Sequence, residues 1–264
     1  MANQDRPPLV LIVLLIVLAG CSGQPVAPNT TSPPDAATST TTDRDTPQLL
    51  LAPGLTDSGV TDAWALAQAH RDSLANTTYT QYGQRAVRAN NTLRQAVTTT
   101  LRQGQGDRYV YERHAHGTAA ALPNLTVFRN ESTLAQRTTY DNGTVMYSGP
   151  EAAATPATER YGNVYAVLTA SSTTVSDTVD RNGATRYRVT STGPPMSSSA
   201  YAGVSNYTMV ALVGSDGLVH AYTISYAATR DGRAVTVTIG MRFTARGRTV
   251  VHPPEWVADA LASD

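Results

Sequence analysis

Residues 218–243 read LVHAYTISYAATRDGRAVTVTIGMRF. Leu218, His220, Tyr222, Ile224 and Tyr226 recur at every second position before Asp231 and Gly232, and Val235, Val237, Ile239, Met241 and Phe243 do so after them. Successive side chains of a strand point to opposite faces, so each half presents one apolar row to a single side. An Asp-Gly pair between two such rows is a strong local signal for a two-residue hairpin, because both residues tolerate the positive φ that the turn demands. The stretch therefore predicts two long antiparallel strands.

The same pattern extends outward. Leu93, Gln95, Val97, Thr99 and Leu101 alternate in the same way, and turn signals stand at Asp141-Asn142-Gly143, Arg181-Asn182-Gly183 and Ser215-Asp216-Gly217. Successive hairpins then give an antiparallel meander of about nine to eleven strands. Three segments break the period. Over 61–75, Ala63, Leu66, Ala67, His70 and Leu74 have helical spacing, with Thr61 available as the cap. Over 157–170, Tyr161, Val164, Tyr165 and Leu168 form an i, i+3, i+4, i+7 stripe despite the cost of Gly162. After Pro253 and Pro254, a short closing helix would place Trp256, Val257, Ala260 and Leu261 against an end of the sheet. The fold class expected is α+β, an antiparallel sheet packed on two or three helices.

The first 48 residues belong to another regime. Residues 9–19 are an uninterrupted apolar run behind a short polar start containing Arg6. At 1.5 Å per residue such a helix covers only about half of a ~30 Å hydrocarbon layer, which suits a signal-peptide core better than a membrane span. Leu18-Ala19-Gly20-Cys21 resembles the lipobox of prokaryotic lipoproteins, and the resemblance implies lipidation at Cys21, the sole cysteine. Two acyl chains on that residue would give stable attachment where one would not. The expected location is the extracytoplasmic face of the cell membrane. Residues 22–48 are nearly all Ser, Thr, Pro, Ala and Asp, the composition of a disordered stalk, with a root-mean-square span of roughly 30 Å. Residues 49–264 remain for one folded domain, large enough to need neither disulfide nor structural metal.

Twenty basic residues, all of them Arg, balance twenty acidic ones. A nucleic-acid binder needs a basic excess, so nucleic acid is not an expected partner. The absence of Lys removes amine chemistry, and no Gly-X-Ser-X-Gly elbow, phosphate loop or His-Glu-X-X-His helix occurs. Neither enzymatic activity nor a cofactor is expected. Glu112, His114 and His116 share one face of a strand, but two histidines without a further ligand are weak support for a metal site, and none is assigned. His70 and His220 read as half-buried or buried partners in packing rather than general bases. Asn29, Asn76, Asn90, Asn124, Asn130, Asn142 and Asn206 each open an Asn-X-Ser/Thr sequon, where composition alone would give about two or three; this suggests N-glycosylation of an outward-facing surface. Thirteen tyrosines, against two Phe and two Trp, include Tyr109, Tyr111, Tyr140, Tyr147, Tyr222 and Tyr226 on strands, where they could line a pocket or simply pack a sheet.

The whole layout, from lipobox and stalk through an opening helix and interrupted meander to a terminal Pro-Glu-Trp, resembles uncharacterised lipoproteins of haloarchaea, although those usually carry an acidic excess. In element order it is also similar to the carrier fold of lipoprotein-localisation and mycobacterial glycolipid-carrying lipoproteins (LolA/LppX-like). That resemblance implies a curved half-barrel sheet wrapped over helices around an apolar cavity. The leading expectation is a membrane-anchored lipoprotein that binds or carries a lipid or other apolar ligand. The alternative is a cell-surface structural or interaction protein that meets envelope components and holds no small molecule.

Overall fold

The computed structural model describes residues 48–117, 122–149, 162–181 and 183–262. The apolar run at 9–19, Cys21, Asn29, most of the stalk and Tyr161 lie outside the described residues.

In chain order the elements are β1 (Leu50–Ala52), β2 (Leu55–Thr56), β3 (Gly59–Val60), α1 (Ala63–Leu74), β4 (Tyr79–Ala89), β5 (Thr92–Gln103), β6 (Tyr109–His116), β7 (Asn124–Arg129), β8 (Leu134–Thr139) and β9 (Val145–Ser148). They continue with α2 (Gly162–Leu168), β10 (Thr174–Arg181), β11 (Ala184–Thr192), β12 (Ser205–Gly214), β13 (Val219–Arg230), β14 (Arg233–Thr244) and α3 (Trp256–Leu261). The main sheet has eleven strands in the order β10-β11-β12-β13-β14-β4-β5-β6-β7-β8-β9, curved, antiparallel throughout and not closed into a barrel. Two meanders, β4 to β9 and β10 to β14, meet where β14 pairs with β4. The expected α+β class is therefore the observed one. A separate three-stranded sheet, β1-β2-β3, precedes α1 and was not expected from the sequence.

The hairpin between β13 and β14 forms as its sequence dictates. Ile224 faces Ile239 and Tyr226 faces Val237, and the loop is Asp231-Gly232 with φ of 50° and 72°. Two positive φ values in a two-residue loop match the right-handed twist of the strands. Asn90-Asn91, with φ of 48° and 62°, does the same between β4 and β5.

Helix α1 starts one residue later than expected. Asp62, not Thr61, is the cap, its carboxylate accepting the Ala65 N–H at 2.9 Å. The amides of Thr61 and Asp62 both donate to the Gly54 carbonyl, which holds Thr61 outside the helix. Gly54 itself is required by its φ of 76° and by the Asp62 carbonyl, with which a Cβ there would collide. Asp62→Ala should cost about 1 kcal/mol, measured as a lower midpoint in urea unfolding at unchanged slope.

Leu66 and Ala67 of α1 and Val164, Val167 and Leu168 of α2 pack on Val189, Tyr207, Met209, Ala211, Val213, Val219, Tyr222 and Ile224. This is the inner face of β11 to β13. Tyr165 lies at the rim of α2, partly exposed, with its ring 6.1 Å from that of Trp64. A second cluster on the same face gathers Leu74, Tyr79, Leu101, Tyr109, Leu125, Val127, Leu218 and Phe243. Helix α3 covers the opposite, outer face instead: Val257 and Ala260 bury against Val110, Phe128 and Ala135, and Trp256 stacks on Tyr147 at 6.3 Å. Leu261, expected to help seal the sheet, is 52% exposed, because so short a helix turns only one side to β8.

Candidate functional site

Across β11 to β13, the layer between sheet and helices is filled by side chains. Tyr207, Met209, Val213 and Ile224 are at most 1% exposed, and the Tyr207 hydroxyl donates to the Val167 carbonyl. Tyr201 packs against Tyr207 and Tyr226 at 5.4 and 5.8 Å, and burial raises its hydroxyl pKa to about 12. Burial raises those of Tyr207 and Tyr222 further still. These tyrosines act as core, whereas Tyr140 is exposed at a turn and Tyr147 supports α3.

Open space lies elsewhere. At the tips of the β4–β5 and β13–β14 hairpins, a cleft of about 630 Å³ is lined by Val87, Ala89, Val235, Arg94, Gln95, Arg230, Asp231 and Arg233. Its floor follows from register. Ala228 opposes Val235, Tyr226 opposes Val237, and Val237 opposes Val87, so one apolar row runs along the inner face to the hairpin ends. Arg230 opposes Arg233 two residues beyond Ala228 and Val235, which puts both guanidinium groups at the end of that row. The β4–β5 ladder slips between Val87↔Gln95 and Arg88↔Leu93, leaving Arg94 as the extra residue of a bulge. Below them on the same face, Arg85 donates to the Gln95 side-chain oxygen at 3.1 Å. Burial, followed by the charge of Arg230, lowers the Arg85 pKa. The cleft therefore has a valine and alanine floor and a basic rim with a single carboxylate, a shape complementary to an amphiphile with an acidic head.

Two other cavities lie away from the hairpin tips. One of about 430 Å³ below the C-terminus of α1 is lined by Asn76, Gln103, Gly106, Asp107 and Arg129, among others. One of about 460 Å³ runs over the outer face between Tyr82, Gln84, Thr98, Thr223 and Arg242, with Gly240 in its floor.

The histidines separate. His70 is fully buried in α1; its Nδ1 accepts the Val219 N–H at 3.2 Å and its ring meets Phe243 edge-on at 4.9 Å. His114 and His116 are exposed, and Glu112 of the same face pairs with Arg102 at 3.2 Å. Among the described residues no group of three His, Cys, Asp or Glu could hold a metal.

His220 does not alternate with Leu218 and Tyr222 as expected. Val213 pairs with Val219 and Leu212 with Ala221, so His220 is the extra residue of a bulge and leaves the inner face. It shares a cleft with Arg186 and Arg246. Burial first, then the charges of Arg186 and Arg246, lower its pKa, partly offset by Asp216. A depressed folded pKa for a base favours the neutral ring. Stability from this group should thus be complete above the ordinary value of about 6.5 and be lost as pH falls from there toward the folded midpoint. A His220 imidazole titration by NMR is expected to show a midpoint below that ordinary value.

Of the described sequons, Asn76, Asn90, Asn142 and Asn206 are exposed and Asn124 and Asn130 partly so. The Asn142 side chain accepts the Thr144 N–H at 3.0 Å and that of Asn130 the Thr133 N–H at 2.8 Å, both within turns. The cleft residues Arg94, Arg230 and Arg233 carried no signal in the sequence, where each is one arginine among twenty.

A comparison with curated protein sequences finds no match. Among solved structures, LprF from Mycobacterium bovis is similar at 13% identity and a TM-score of 0.38, over 75% of this chain and 98% of that one. The lipoprotein LppX from Mycobacterium tuberculosis is similar at 10% identity and a TM-score of 0.39, over 72% and 97%. A LolA superfamily protein from Nitrosomonas europaea is similar at 6% identity and a TM-score of 0.27, over 74% and 96%. The fold class rests on the strand order rather than on these scores. Residues 6–260 match the family described as "Family of unknown function (DUF7537)", and the chain belongs to that family.

Proposed function

We propose that the protein is a membrane-anchored extracytoplasmic lipoprotein that binds a lipid or other amphiphile at the hairpin tips of its curved sheet. The observation that carries the reading is the apolar row Val87, Ala89, Val235 and Val237 on the inner face, ending under Arg94, Arg230 and Arg233. The floor would take an acyl or isoprenoid chain, each buried methylene contributing about 0.8 kcal/mol, and the rim would take an acidic head. In this reading Cys21 carries the anchor, and residues 22–48 hold the cleft away from the membrane surface.

Arg230 and Arg233 are exposed, so reversing their charge leaves the fold intact. A dansylated fatty acid is expected to bind the full-length protein with blue-shifted fluorescence, and Arg230→Glu with Arg233→Glu to weaken binding by roughly tenfold or more. Equal binding by both proteins, or none by either, would reject the cleft.

A second reading, a glycosylated surface protein without a small-molecule ligand, is supported by the exposure of Asn76, Asn90, Asn142 and Asn206 among the described residues. Glycopeptide mass spectrometry on protein from its native host tests the glycosylation this reading needs: modified Asn142 and Asn206 are expected, and unmodified Asn124, Asn142 and Asn206 peptides would count against it.

A further inference from the structure

Pairing between β13 and β14 extends only as far as Ala221 opposite Arg242. Beyond that point the two chains separate, and a cleft of about 500 Å³ opens between them. Arg186, His220, Arg242, Arg246 and Arg248 line it, and at its base lie Leu74, Tyr79, Leu218 and Phe243 from the core. Four guanidinium groups thus converge from three separate parts of the chain. Asp216 pairs with Arg246 at 2.8 Å and also accepts the Leu218 N–H at 3.1 Å. In a chain of zero net charge, four cations against one carboxylate is a local excess.

The four are not equally occupied. Arg246 is engaged by Asp216, and the Arg242 guanidinium lies 4.9 Å from the centre of the Tyr82 ring. Arg186 has its Nε enclosed without a hydrogen-bond partner among the described residues. Arg248 makes no ion pair among them either, and its side chain is exposed. An enclosed guanidinium N–H without an acceptor is costly, and the acceptor that would satisfy several such groups at once is a multidentate anion. Gly214 keeps the site open. A Cβ there would lie 2.7 Å from Asp216 Oδ1 and 3.0 Å from His220 Nε2, so a side chain at that position would displace both.

We propose that this splayed end of the β13–β14 hairpin binds a tetrahedral oxyanion, a phosphate or sulfate group, through Arg186 and Arg248 with Arg242 and Arg246 beside them. Planar guanidinium forks bind such oxygens in pairs, and four forks exceed what one carboxylate of the chain can use. The site is distinct from the amphiphile cleft. It sits at the other end of β13, roughly 35 Å away at ~3.3 Å per residue. It does not depend on that cleft being occupied.

The test uses the full-length protein in detergent, titrated with inorganic phosphate and with sulfate at an ionic strength held constant by chloride. Saturable binding at one equivalent is expected. Arg186→Gln and Arg248→Gln should each weaken it at least tenfold, while Arg129→Gln, on β7 and outside both clefts, leaves it unchanged. Arg248 is exposed, so its variant remains informative even if Arg186→Gln perturbs folding. Competition by phosphatidylglycerol vesicles, but not by phosphatidylcholine vesicles, would support the site and identify a lipid headgroup as the source of the anion. Phosphate binding that neither vesicle displaces would support the site and identify a free anion. No saturable binding above chloride, or binding that survives both arginine variants, would overturn the proposal.

Discussion

His70→Ala is expected to destabilise the protein by on the order of 4 kcal/mol, the largest loss expected from any single histidine. Two costs combine. Removing a fully buried ring that packs edge-on against Phe243 leaves a cavity between α1 and the sheet. It also strips the Val219 N–H of its acceptor at 3.2 Å, and Val219 is the residue at which the β12–β13 ladder slips. A buried amide without a partner costs about 1 to 3 kcal/mol, and a large-to-small core change about 2 to 5. For a folded unit of this size the melting temperature should fall by roughly 8 to 16 °C. His70→Gln, which retains an acceptor at the end of a flexible side chain, should recover part of the loss. A melting temperature within about 2 °C of the parent for His70→Ala would show that the ring carries neither the packing nor the amide.

On the proposed anchor, Cys21→Ser should leave the protein unlipidated. A serine oxygen does not replace the thiolate in the lipid transfer that the lipobox resemblance implies, and without acyl chains no other segment is proposed to hold the protein. Among the described residues no helix is long and apolar enough to cross a membrane. Fractionation of native cells checks this. The parent should partition with membranes and into detergent, with a lipid mass increment on the residue that begins the mature chain, and the variant should carry no increment. An unchanged increment in the variant would reject lipidation at Cys21.

Local features were the legible ones. The Asp231-Gly232 hairpin, the α1 stripe ending at His70 and Leu74, and the turns at Asp141-Asn142-Gly143 and Ser215-Asp216-Gly217 each depend on a few neighbouring residues, and each stands where the sequence placed it. The pairing of β14 with β4 joins residues about 150 apart in sequence, and no periodicity reports such a partner. Strand bulges were equally invisible. At His220 and at Arg94 one unpaired residue reverses the facing of the residues beyond it, so alternation read through them assigned His220 to the wrong side. The cap of α1 failed for a smaller reason: Thr61 and Asp62 are both competent caps, and only the tertiary contact of their amides with Gly54 decides between them.

The two clefts show the same limit more sharply. Arg230 and Arg233 are adjacent to a legible turn, yet their convergence with Arg94 requires the β14–β4–β5 register. Arg186, Arg242 and Arg248 converge only once β11 to β14 are assembled and the last two strands have parted. Neutral overall charge argued against an extended basic surface, and it concealed two small basic sites placed at opposite ends of one hairpin.

The most direct test of ligand binding is to purify the lipidated protein gently from its native host, extract it with organic solvent and identify the released compounds by mass spectrometry. A single class of acidic amphiphile at close to one equivalent, lost when Arg230 and Arg233 are changed to Glu, is the expected result. A stable protein that releases only its own anchor, from both parent and variant, would contradict the carrier reading and leave the glycosylated surface protein in its place.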